Sequence, residues 1–220
     1  MAAVSTTLSG SAALSTPERV EVLRDLARTD AVGAQDAAWA WFERLGRVAR
    51  DDREGAADQL ADLFACGQPS RDLDGPTDGI LVAPMIHPRV DALARALTRV
   101  WMPWQGKRFD AETQHGDNRM VGSFAFVGRL LWPLYSSRSA PGGRLAFDFE
   151  TRIERGGIDP AIDVFVIDYA PVDKNPGLII RSIRDELVEI VPGAHLGRIL
   201  YRRGDRYDNW GYFALRTAVA

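Results

Sequence analysis

The residues best suited to chemistry are carboxylates set beside tyrosines. Asp168 closes the apolar run Val164-Phe-Val-Ile-Asp-Tyr169. A carboxyl turned inward from such a strand would have its pKa raised by burial and could act as a general base beside Tyr169, Tyr201 or Tyr212. That is the equipment of a cofactor-independent isomerase or cyclase, with Asp168 and Tyr169 as the catalytic pair. The competing role, and the stronger expectation, is an ion pair of Asp168 or Asp185 with Arg181, Arg184 or Arg198 that ties adjacent strands.

A second group could bind rather than react. Trp101-Met-Pro-Trp104-Gln-Gly-Lys-Arg-Phe109 gathers aromatic rings and two cations at the entry to a β-rich region. The rings could close one end of a cavity while Lys107 or Arg108 meets an acidic head group, although tryptophans that merely plug the end are favoured. The candidate ligand-binding residues are Trp101, Trp104, Lys107, Phe109, His115, Phe147, Phe149, Tyr201 and Tyr212. The three histidines, His87, His115 and His195, stand 28 and 80 residues apart, without the spacing that puts two metal ligands on one face. No metal site and no cofactor are expected. A lone axial haem ligand at His115 or His195 is the alternative, and a surface or loop histidine is the stronger expectation for each. No Gly-x-Gly-x-x-Gly, phosphate-loop or Gly-x-Ser-x-Gly pattern occurs, and Cys66 has no histidine near it in sequence.

These side chains need elements to hold them. Residues 1–14 are small and polar and are expected to be disordered. Ser15-Thr-Pro-Glu18 has the form of a capping box, and Val20, Leu23, Leu26 and Ala27 follow at helical spacing. Further helices are expected over 34–50, with Ala38, Trp41, Phe42, Leu45 and Val48 in one stripe, and over 54–64, stopped by Gly67. The helical segment is thus 15–65. The turn-rich stretch 67–84 opens a β domain over 66–220, with one inserted helix near 88–100. Strands are expected at 79–83, 106–114, 119–127, 145–154, 163–169, 179–191, 195–203 and 209–217, the stretch 179–191 being ambiguous between a bent strand and a helical turn running into one. In the fourth, Leu145, Phe147, Phe149, Thr151 and Ile153 alternate with Ala146, Asp148, Glu150 and Arg152, giving one dry face and one wet face. Eight antiparallel strands in succession suit a small barrel.

The fold expected is therefore α+β, an N-terminal helical segment followed by an eight-stranded antiparallel lipocalin-like β-barrel. The helices would pack on the barrel, cover one mouth, or dock a second subunit and so make a homo-oligomer. Composition agrees with a globular protein: 220 residues, 46% hydrophobic and 26% charged. A net charge of −3 leaves no basic surplus for nucleic acid. No run of about 18 apolar residues is present, so membrane insertion is not expected. A single cysteine and the absence of a secretory signal suit the cytoplasm.

Gly67-Gln-Pro with Leu73-Asp-Gly75, Trp104-Gln-Gly-Lys-Arg-Phe109, Asp168-Tyr169, Asp185-Glu-Leu187, Leu196-Gly197 and Tyr212-Phe-Ala-Leu-Arg216 resemble the scaffold of calycin-type, lipocalin-like small barrels. Within these, the GXWXG-type domain is the most similar. The resemblance spans about 64–217, yet Gly-x-Trp-x-Gly itself is missing. It implies a cavity for a small hydrophobic ligand and carries over no catalytic residue. The leading functional expectation is binding of a lipid, polyketide or terpenoid in the barrel. The alternatives are a cyclase or isomerase acting on such a molecule, and an interaction protein whose barrel has no cavity.

Overall fold

Three helices open the described chain, and each carries its own start signal. The computed structural model of the protein describes residues 14–71, 73–85, 104–177 and 179–218. Of the N-terminus expected to be disordered over 1–14, residues 1–13 lie outside them, as does the helix expected near 88–100. Helix α1 spans Thr16–Ala27, where the Glu18 carboxylate accepts from the Ser15 N–H and hydroxyl at 2.8 and 2.7 Å. Helices α2 (Ala31–Asp51) and α3 (Arg53–Ala65) start on Asp30 and Asp52, whose carboxylates accept from the N–H groups of Gly33 and Gly55. The expected stripes are buried at Val20 and Leu23, at Ala38, Trp41, Phe42 and Leu45, and at Leu60, Leu63 and Phe64, whereas Leu26 is exposed and Ala27 and Val48 are half-buried.

The β region forms one antiparallel sheet. Its strands are β1 (Gln68–Pro69), β2 (Gly75–Pro76), β3 (Asp78–Pro84), β4 (Trp104–Asp110), β5 (His115–Met120), β6 (Arg138–Ala140), β7 (Gly143–Arg155), β8 (Asp163–Asp168), β9 (Ile183–Val191), β10 (Ala194–Arg203) and β11 (Arg206–Arg216). They run in the order β2-β4-β5-β7-β8-β9-β10-β11-β3, with β1 on β9 and β6 on β7. The count among the described residues is eleven, not eight, because three short pairings join the long ones.

The sheet curls into a nearly closed barrel because its two ends belong to one stretch of chain. β2 pairs with β4 and β3 pairs with β11, while Thr77 between them donates its N–H to the Lys107 carbonyl at 2.8 Å. Two glycines permit the crossing. Gly106 sits at φ +142°, and a Cβ there would lie 2.1 Å from the Thr77 carbonyl oxygen; one on Gly79 would lie 2.5 Å from the Trp104 ring.

Alternation along the strands divides the core in two. Phe165, Ile167, Ile183, Leu187, Ile199, Phe213 and Leu215 fill the inside with Phe109 and Phe149. Val164, Val166, Val188, Ile190, Leu196, Tyr212 and Ala214 face the other way, against α1–α3. The helices thus pack against one outer wall, built from β3 and β9 to β11, which is why β9 and the first seven residues of β10 are buried on both faces. A strand expected over 119–127 is replaced by the end of β5 and a helix α4 (Phe124–Leu131), and Ala111–Gln114, expected inside a strand, is the turn before β5. The ambiguous stretch resolves as a 3-10 turn at Ile180–Ser182 running into β9.

Candidate functional site

Inside the barrel lies a polar cluster where the alternation predicts only apolar contact. Lys107 on β4, Asn118 on β5, Tyr169 just after β8 and Asp185 on β9 all project inward, and Lys107 and Asp185 are 2% and 1% exposed. The Lys107 Nζ donates to Asn118 Oδ1 at 3.0 Å, to the Tyr169 hydroxyl at 2.5 Å and to Asp185 Oδ2 at 2.9 Å. Tyr169 donates to the same Asp185 oxygen at 3.0 Å. Asn118 donates from its amide to the Phe147 carbonyl and to the Tyr169 oxygen, each at 3.1 Å, and its Oδ1 also accepts from the Trp104 indole at 3.1 Å.

Counting donors and acceptors shows how tightly this is specified. The three ammonium protons have three acceptors, and both functions of the Asn118 amide are used twice. One atom stands apart. Asp185 Oδ1 is fully buried and has no hydrogen-bond partner among the described residues. An unpaired buried acceptor is costly, on the order of 1–3 kcal/mol and more for a charged group.

Aromatic rings wall the cluster. The Lys107 Nζ lies 5.8, 5.2, 5.2 and 5.3 Å from the ring centroids of Trp104, Phe149, Tyr169 and Phe213. Burial pulls the Lys107 ammonium below its ordinary pKa, with Asp185 opposing; it pushes the Asp185 carboxyl up, with Lys107 opposing, and the Tyr169 phenol well up. Both members of the ion pair are thus biased toward their neutral forms.

The barrel end nearest the cluster has an aromatic rim. Trp104, Trp132, Tyr135, Tyr201 and Trp210 are partly buried against the inner core. They belong to the start of β4, the segment after α4, the end of β10 and the start of β11. Tyr201 stacks on Trp210 with centroids 3.9 Å apart, and Tyr135 stacks on Phe147 at 5.1 Å. Two non-glycine residues at this end hold left-handed backbone, Phe147 at φ +53° and Ile179 at φ +101°. Such geometry is strained for bulky or β-branched side chains and concentrates at functional sites.

The structure brings together Trp104, Lys107, Phe109, Phe147, Phe149 and Tyr169, with Tyr201 at the rim. Trp101 lies outside the described residues. Asp168 does not point inward with Tyr169: it shares the outer face of Val164 and Val166, where Arg152 binds it at 2.9 Å. Tyr212 faces the helices while its neighbour Phe213 takes the interior. His115 is exposed on the outer wall, its ring 3.9 Å from Glu150. His195 is buried with Nδ1 2.8 Å from the Ser70 hydroxyl, and burial lowers its pKa to about 4. Asp185 pairs with Lys107 rather than with any of the arginines expected for it. Among the described residues no group of three or more His, Cys, Asp and Glu could hold a metal ion.

Asn118 and the inward placement of Asp185 were not anticipated, although one signal in the sequence points at Lys107. The chain has 25 arginines and two lysines, Lys107 and Lys174. Where arginine serves nearly every cationic role, a lysine is the residue that can give up its proton.

Fold and site together define a helix-walled, nearly closed antiparallel barrel with a buried Lys–Asp–Tyr–Asn cluster beneath an aromatic rim. No protein family matches the chain, and no curated protein does. Among solved structures, the crystal structure of a protein from Thermomonospora curvata is similar at a TM-score of 0.43 and 17% identity, over 81% of this chain and 98% of that one. That likeness is too weak to assign a fold family. No helix among the described residues is long and apolar enough to cross a membrane.

Proposed function

We propose that the protein binds a small hydrophobic molecule inside the barrel, in the manner of a lipocalin-like container. The ligand enters at the aromatic rim and sets its polar end against Asp185 Oδ1. The observation that carries this reading is the single unpartnered carboxylate oxygen in an otherwise fully satisfied buried network. A packed structural core gains nothing from such an atom, whereas a ligand group that reaches it gains a hydrogen bond shielded from water. Trp104 couples rim to cluster, because its indole N–H ends on Asn118.

The test is native mass spectrometry of freshly purified protein, followed by solvent extraction. A bound apolar molecule with a polar end is expected; repeated recovery of empty protein, together with no uptake from a panel of lipids and terpenoids, overturns the reading. The second reading is a cofactor-independent isomerase or cyclase. Asp185 and the Tyr169 hydroxyl, 3.0 Å apart in a water-excluding site, favour it.

A further inference from the structure

We propose that Lys107 is a nucleophilic amine and that the interior site takes an apolar aldehyde or ketone, which it holds as an imine. This rests on the ligand-binding reading above and names its substrate class. The geometry supplies three requirements of such a site.

The first is a place for the amine's proton. Nζ lies 2.9 Å from Asp185 Oδ2, so one proton transfer turns the ammonium–carboxylate pair into an amine and a carboxylic acid without changing the net charge of the cluster. Burial disfavours both charged forms, so the transfer relieves two desolvation costs at once.

The second is an acid aimed at the carbonyl oxygen. With the transferred proton on Oδ2, 2.9 Å from Nζ, Asp185 becomes an O–H donor to a carbonyl oxygen bound beside Nζ, while Oδ1 remains an unpartnered acceptor. The Nζ lone pair attacks the carbonyl carbon as the C=O π pair moves to oxygen, which takes the proton from Asp185. The charged nitrogen of the carbinolamine first returns one proton to Asp185, which passes it to the hydroxyl; water leaves as the nitrogen lone pair forms the C=N bond, giving the protonated imine beside the Asp185 carboxylate. The product is C=N–Lys107 plus one water, with no oxidant or reductant. Hydrolysis by the reverse path releases the ligand.

The third is exclusion of bulk water and of competing amines. Trp104, Phe149, Tyr169 and Phe213 enclose Nζ, and the chain's other side-chain amine, Lys174, is 54% exposed and ion-paired to Asp148. Arginine could not replace Lys107 in this role, since guanidinium does not deprotonate in proteins.

The experiment is reductive trapping on the full-length protein with decanal and sodium cyanoborohydride at neutral pH, read by intact mass and peptide mapping. One decyl group on Lys107, gained at least tenfold faster than on Lys174, is expected, and Asp185→Asn slows it while leaving Lys174 labelling unchanged. Because mapping is done on the unaltered chain, the result does not depend on a variant that folds. Labelling of Lys174 or the N-terminal amine with Lys107 untouched overturns the imine. If native mass spectrometry then shows 1-decanol retained by the same protein, the binding reading stands alone. If neither compound is retained and Lys107 is unlabelled, both fall.

Discussion

Lys107 Nζ and Asp185 Oδ2 lie 2.9 Å apart although β4 and β9 are separated in the sheet by β5, β7 and β8. The pair spans the barrel interior and joins opposite walls through charge rather than through apolar contact. Removing one partner of such a pair leaves a bare buried charge, worth about 3–5 kcal/mol, whereas replacing both with apolar groups of similar volume is often neutral. Lys107→Met is therefore expected to lower stability by about 3–5 kcal/mol, and Lys107→Met with Asp185→Leu to recover most of that. Urea denaturation of the two variants decides it; additive losses would show that the pair is not coupled.

The two aspartates most readily confused in the sequence separate by function. Asp185→Asn is expected to abolish retention of the extracted ligand in native mass spectra. Asp168→Asn, which loses only a partly exposed pair with Arg152 on the outer face, is expected to retain it and to cost less than about 1 kcal/mol. Equal retention by both variants would remove Asp185 from the site.

The seam of the barrel depends on a residue without a Cβ. Gly106→Ala places a methyl 2.1 Å from the Thr77 carbonyl oxygen at a backbone φ of +142°, and is expected to cost on the order of 3 kcal/mol. Thermal melting and the hydrogen-exchange protection of Thr77 and Lys107 amides report on it. A wild-type melting temperature would mean that the β2–β4 closure is dispensable.

Stability falls on the acid side through His195. Burial lowers its folded pKa from 6.5 to about 4, so between those values the unfolded chain binds the extra proton. Folding free energy is lost as pH falls through that window, by on the order of 3 kcal/mol, and none of this loss arises above pH 6.5. His195→Asn is expected to flatten the stability profile between pH 4 and 6.5; an unchanged slope there would assign the titration to other groups.

Much of the local structure is legible in the chain. The capping box at Ser15 and the stripe Trp41, Phe42 and Leu45 are written in near-neighbour spacing and appear in the fold, whereas the alternation through Phe147 and Phe149 holds only in part: Ala146, expected on the wet face, is buried in the inner core, and Ile153, expected on the dry one, is exposed. The errors fall where local pattern is degenerate. Phe124–Leu131 is apolar enough for strand or helix. The alternation in Val164-Phe-Val-Ile-Asp-Tyr169 tells which residues share a face, but not which face looks inward. Val164 and Val166 join the outer core that the helices share, so Asp168 lies on that face and Tyr169 on the inner one.

Periodicity, capping and turn chemistry are short-range effects, so the order of helices before an antiparallel β region, and the two-faced character of its strands, follow from the residues alone. The meeting of Lys107, Asn118, Tyr169 and Asp185 does not, because it depends on the register of four strands across 78 residues and on β2 and β3 turning one stretch of chain into both ends of the sheet. A side chain's neighbours across a barrel are set by closure, which is a property of the whole sheet. Asp185 is thereby made a buried partner of the rarer cation and Asp168 an outer ion pair, although the two look alike in sequence.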